Sequence, residues 1–179
     1  IDREAFLNCK NLTSITIPSS VTKVGDGAFA NCKSLKDLII SEGVSELGGY
    51  CFEWCSSLES VTIPKSIKKI GYGRNAGDGF GDSGIEGVFK GCKSLSTVTL
   101  PEGLEEIPAG MFESCSALKT ISIPETVTKI GEYAFYFSGL EAIIIPASVT
   151  YIEDRAFQNC EKLQSVQYLG EKPSLGDYV

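Results

Sequence analysis

Apolar residues return along this chain at an interval far longer than a helical turn or a strand pleat. Phenylalanine stands at Phe6, Phe29, Phe52, Phe89, Phe112, Phe135 and Phe157, giving spacings of 23, 23, 37, 23, 23 and 22. The 37 is one 23-residue unit plus an insertion of 14. A small residue usually precedes each phenylalanine (Ala5, Ala28, Cys51, Ala134, Ala156). Cysteine follows three residues later at Cys9, Cys32, Cys55, Cys92, Cys115 and Cys160, with Ser138 the exception. Leu12, Leu35, Leu58, Leu95, Leu118, Leu140 and Leu163 come next, then an apolar-x-apolar triplet such as Ile15-Thr16-Ile17. Proline usually closes the triplet (Pro18, Pro64, Pro101, Pro124, Pro146), with Ser41 in its place once. Two further apolar positions complete the unit, the second often followed by glycine, as in Val21 and Val24-Gly25.

One such unit has too few apolar positions to close a core, whereas stacked units bury one row against the next. The triplet alternates with a period of two, which predicts a short strand. Equivalent strands stacked in order are parallel, about 4.8 Å apart, so seven of them span roughly 30 Å of one sheet. Proline has no N–H for a ladder and ends each strand. The Ala-Phe-x-x-Cys segment is too short for a long helix and predicts a single helical or 3₁₀ turn opposite the strands.

The unit, for example Val21-Thr-Lys-Val24-Gly25-Asp-Gly-Ala28-Phe29-Ala-Asn-Cys32-Lys-Ser-Leu35, resembles the BspA-type leucine-rich repeat family. About seven copies cover the chain, residues 1–179 as a single unit, apart from a glycine-rich insertion at about 72–86. The resemblance implies a leucine-rich-repeat solenoid, a right-handed superhelix with one parallel β-sheet on its concave face and short helical turns or loops opposite. It also implies a surface or secreted protein of a bacterium or protozoan parasite, of a kind that adheres to host proteins and other cells, with no family-wide catalytic residues. Ile1 to Phe6 is the middle of a unit and Leu175 to Val179 opens another, so a fragment of a longer array is expected, with targeting and anchoring signals outside it.

Composition narrows the chemistry. The chain contains no histidine, which removes Ser-His-Asp triads, Cys-His pairs and histidine zinc sites together. Its net charge of −7 opposes nucleic-acid binding. Apolar runs such as Ala142 to Ile145 are far below the ~20 residues of a membrane span. Seven cysteines, six of them at one repeat position, predict a row of buried thiols that pack as small hydrophobes. No Cys-x-x-Cys occurs, and no cofactor or metal is expected.

The candidate sites are therefore surfaces. The middle residues of the triplets, Thr16, Ile39, Thr62, Thr99, Ser122, Ile144 and Gln167, should point outward. So should Ser14, Asp37, Ser60, Thr97, Thr120, Ala142 and Ser165, making a hydroxyl-rich stripe in which Ile39 and Ile144 are apolar interruptions. In the insertion, Gly71-x-Gly73-x-x-Ala76 is followed by no helix, and Asp78 and Asp82 lack calcium-loop spacing. The insertion is expected to loop out without breaking the stack, with Arg74 and Phe80 as candidate anchors for a partner. Lys65, Lys68, Lys69 and Arg74 form a basic run on an acidic chain. Asn11-Leu12-Thr13 reads as a glycosylation sequon, but its leucine is a core position.

These features point to a non-enzymatic, adhesin-like protein at the cell surface or secreted. It would bind a protein partner, a host extracellular-matrix or other surface protein, through the concave face at Thr16, Ile39, Thr62, Thr99, Ser122 and Ile144. The alternative is a structural spacer or stalk that displays another domain.

Overall fold

The computed structural model describes residues 1–71 and 87–179. The insertion, with Arg74 and Phe80, lies outside the described residues. The strands in chain order are β1 (Ser14–Ile17), β2 (Lys23–Val24), β3 (Asp37–Ile40), β4 (Glu46–Leu47), β5 (Ser60–Thr62), β6 (Lys69–Ile70) and β7 (Thr97–Thr99). They continue with β8 (Glu106–Ile107), β9 (Lys129–Ile130), β10 (Ala142–Ile145), β11 (Tyr151–Ile152), β12 (Ser165–Tyr168) and β13 (Ser174–Leu175). Every pairing is parallel and joins equivalent positions of successive turns, as in Ser14 with Asp37 and Ser60 with Thr97. The chain is thus a parallel-strand solenoid. The triplets form a first row of strands (β1, β3, β5, β7, β10, β12), and the two-residue strands form a second row.

Neither row is one continuous sheet, and proline explains where each breaks. In the first row β1 pairs with β3, β5 with β7 and β10 with β12. Two of these pairs occur where the closing proline is replaced: Ser41 N–H donates to Ile17 O and Leu169 N–H to Ile145 O, both at 3.0 Å. Pro64, Pro124 and Pro146 have no N–H to offer the preceding turn. Among the described residues no ladder joins β3 to β5, β7 to 120–123, or 120–123 to β10. β5 and β7 pair over three residues because Ile63 N–H donates forward to Thr99 O at 3.0 Å. Each proline has a second task, since its carbonyl accepts the N–H three residues on, as in Val21 to Pro18 at 2.9 Å, which turns the chain into the second row.

The same rule governs the second row. Gly48, Gly71, Gly131, Glu153 and Gly176 donate to Val24, Leu47, Ile107, Ile130 and Ile152 O at 2.7–2.9 Å. Pro108 occupies that slot in the turn after the insertion, and the row divides there into β2-β4-β6 and β8-β9-β11-β13.

The helical turn expected at Ala-Phe-x-x-Cys does not form; the described residues hold turns and strands but no helix. In the first unit Ala5, Leu7 and Cys9 N–H bond three residues back, to Asp2, Glu4 and Phe6 O at 3.0–3.3 Å. The intervening Glu4, Phe6 and Asn8 N–H instead reach the next turn, at Asp26, Ala28 and Ala30 O, at 2.7–2.9 Å. Amides committed to the next turn cannot close a helix. Glu4 (φ 57°) and Asn8 (φ 62°) are moreover in the left-handed region, and their equivalents Asn31, Trp54, Tyr133 and Asn159 repeat this. Each turn of the solenoid is therefore bonded to its neighbours on this side as well as in the strand rows.

The core is the repeat itself. Phe29, Phe52, Phe89, Phe112 and Phe135 are fully buried. The seven rings from Phe6 to Phe157 form one stack, with centroids 5.0–6.1 Å apart. Phe52 and Phe89 stack at 5.7 Å across the insertion, so the added residues do not interrupt the array. Cys32, Cys51, Cys55, Cys92 and Cys115 are buried and free, whereas Cys9, on the first turn, is exposed.

The column of cysteines does more than fill space. The thiols of Cys32, Cys55, Cys92 and Cys115 donate to the carbonyls of Phe6, Phe29, Phe52 and Phe89, each one turn back, at 3.2–3.3 Å. A small side chain with a weak donor meets both needs there. Burial pushes the Cys32 thiol up to about 11 and raises those of Cys51, Cys55, Cys92 and Cys115 further. They remain protonated and poor nucleophiles.

Candidate binding face and its relatives

The alternation along each triplet positions the first-row side chains. In β3 the burial runs exposed, buried, exposed, buried from Asp37 to Ile40, so Ile39 faces solvent and Leu38 and Ile40 face the core. The parallel register then sets outward residues of adjacent turns side by side. Thr16 lies beside Ile39, Thr62 beside Thr99, and Ile144 beside Gln167. Thr16, Ile39, Thr62, Thr99, Ser122 and Ile144 are all exposed on this face, Ile39 at 58% and Ile144 at 52%. Ser122 is on a segment without ladder bonds, and a shallow depression opens there. Ile121, Ser122, Ile144, Pro146 and the exposed Leu169 line it.

Charge is sorted between the two rows. The first row carries a single ionisable outward residue, Asp37, among its triplet positions. The second row alternates Lys23, Glu46 and Lys69, then Glu106, Lys129 and, on the turn after, Glu153. Lys23 pairs with Glu46 at 2.8 Å, and Lys129 with Glu153 at 2.8 Å and Glu106 at 3.9 Å. Exposed pairs of this kind add little stability, but they neutralise one another. Of the basic run, Lys69 stands in register with Glu46, and Lys65 and Lys68 line one cleft with Glu102 and Glu105 at the Pro108 break. Lys90 and Glu113 form a buried pair at 3.1 Å on the turn side.

Among the described residues no group of three His, Cys, Asp or Glu side chains could hold a metal. No helix of the described residues is long and apolar enough to cross a membrane. Sequence reasoning passed over Trp54, which stands in a repeat slot otherwise held mostly by Asn, Gly or Ser; that departure was the available signal.

A leucine-rich repeat protein of T. pallidum aligns with 98% of this chain at 25% identity and a TM-score of 0.61. A leucine rich cell surface protein of Faecalibacterium prausnitzii aligns with 96% at 25% identity and a TM-score of 0.53. The pneumococcal vaccine antigen PcpA shares the fold, over 93% of this chain, at 20% identity and a TM-score of 0.61. The chain spans 65%, 64% and 47% of these three proteins, respectively. No curated protein sequence matches it. The family model for the BspA type leucine rich repeat region matches six copies, over residues 1–74 and 85–179. With the repeat phase, the stacked phenylalanines and the parallel rows in agreement, the chain belongs to the BspA-type leucine-rich repeat family.

Proposed function

We propose that this protein is a non-enzymatic interaction module, at the cell surface or secreted, that binds a protein partner through the first strand row. The observation that carries this reading is the sorting of charge: the outward strand positions of the first row hold one ionisable residue, Asp37, on a chain that is 22% charged. Hydroxyls such as Thr62 and Thr99 bond a partner without the desolvation cost of a charge, and Ile39 and Ile144 add apolar area. The cell-surface description of the Faecalibacterium protein and the antigen description of PcpA support the location.

The experiment is binding to immobilised extracellular-matrix proteins by the wild type and by T62K/T99K. The two lysines would place like charges side by side in the middle of the face, since Thr62 and Thr99 are register partners. Loss of about tenfold or more in affinity is expected, because a buried unpaired charge is costly at an interface. Unchanged binding would move the site off this face. No binding by either protein would favour a spacer that displays another domain.

A further inference from the structure

Trp54 is the single tryptophan, and its backbone is in the left-handed region at φ 57°. Its slot in the other units holds Asn8, Asn31, Gly91, Ser114, Phe137 and Asn159, mostly types that tolerate this conformation. The left-handed backbone belongs to this slot in every turn; what sets this turn apart is the large indole it presents. Its backbone is fixed by Trp54 N–H, which donates to Lys90 O at 2.7 Å. The indole packs against Gly91, where an added Cβ would clash with the ring. Lys93 Nζ sits 5.8 Å from the ring centroid. A pocket opens beside the ring, lined by Asn31, Lys33, Trp54, Ser56 and Lys93.

Lys23, Lys36, Lys119 and Lys129 all pair with glutamates, whereas Lys33 and Lys93 pair with no carboxylate among the described residues. The Asn31 amide makes no side-chain hydrogen bond among them. Ser56 Oγ donates to Lys33 O at 3.3 Å, which ties the two turns that form the wall and leaves the hydroxyl oxygen able to accept.

We infer that this pocket binds an acidic saccharide, a pyranose ring bearing carboxylate or sulfate. The apolar C–H face of such a ring stacks on an indole, its hydroxyls suit an amide and a serine, and its acid group suits two unpaired ammoniums. A neutral sugar would leave those cations unused. Nucleic acid is disfavoured by the net charge of −7. The site is on the turn side and is separate from the strand face proposed above.

Because Trp54 is the only tryptophan, its emission reports on this pocket alone. The titrants are a heparin tetrasaccharide, a hyaluronan hexasaccharide, neutral maltohexaose, and vesicles containing a sialylated glycolipid. A saturable emission change is expected with at least one acidic titrant and none with maltohexaose. Response to the vesicles alone would assign a glycolipid source, and response to a soluble oligosaccharide a polysaccharide source. K33Q/K93Q, both exposed positions, should weaken binding by about tenfold or more, and so should raising salt from about 0.05 to about 0.3 M. T62K/T99K should leave it unchanged, which separates this site from the strand face. No response to any acidic titrant, an equal response to maltohexaose, or undiminished affinity in K33Q/K93Q would overturn the assignment.

Discussion

Replacing Phe112 with alanine removes the fifth of the seven rings in the solenoid's core stack. Phe112 is fully buried, with Phe89 at 6.1 Å on one side and Phe135 at 5.5 Å on the other. Truncating a buried phenylalanine costs about 3–5 kcal/mol, cavity included. Two ring contacts, each worth about 0.5–1.5 kcal/mol beyond area burial, are part of that loss, which puts the cost in the upper half of the range, about 4–5 kcal/mol. The turns on either side are held by the remaining repeats and cannot collapse into the gap. Phe6 is the internal comparison: it is 41% exposed and has one stacking neighbour, Phe29 at 5.0 Å. Its truncation should cost about 2 kcal/mol, since only part of the transfer cost applies and one contact is lost. The assay is urea unfolding of wild type, F112A and F6A, followed by circular dichroism. With a slope of about 2 kcal/mol/M, F112A should lower the midpoint by about 2 M and F6A by about 1 M. Turns contact only their neighbours, so F112A should also broaden the transition as the two halves uncouple. An F112A midpoint no lower than that of F6A would refute a continuous load on the stack.

Two further predictions follow from the fold. S41P should lose the Ser41-to-Ile17 bond and make the β1–β3 junction like its proline-closed neighbours, at a net cost of about 1 kcal/mol; amide hydrogen exchange should speed up in β1 and β3 only, and unchanged exchange would refute the proline rule. The raised thiols give stability that is fully present below the ordinary thiol value of 9.0 and is lost as pH climbs through the folded value, about 11 for Cys32. The urea midpoint should therefore fall between pH 9 and 11 and fall less in C32A, while a thiol reagent at pH 8 should label Cys9 well before Cys32 or Cys55; rapid labelling of Cys55 would contradict the buried row.

The arrangement of the repeat was legible in the linear chain because stacking makes it one-dimensional. A residue's neighbours are its equivalents about 23 positions away, so the spacing of Phe29 and Phe52, and of Phe89 and Phe112, already names who touches whom. Outward exposure of Thr16, Ile39, Thr62, Thr99, Ser122 and Ile144 followed for the same reason, from a period of two on a half-buried row. What they bind did not follow, because a hydroxyl stripe suits a sheet surface as well as an interface.

Tertiary structure decided what depends on pairs of turns. Proline was readable as the end of each strand, but its removal of a donor breaks the ladder only between specific turns, so one sheet became separate pairs. The helical turn at Ala-Phe-x-x-Cys was lost because Glu4, Phe6 and Asn8 spend their amides on the adjacent turn, a competition that no single unit displays. Likewise the cysteine column reads as small hydrophobes in sequence, and only stacking brings each thiol to a phenylalanine carbonyl one turn back. Periodicity along the chain determined which residues share a row; the hydrogen-bond competition between rows, which depends on atoms of neighbouring turns, was settled only when the turns stacked.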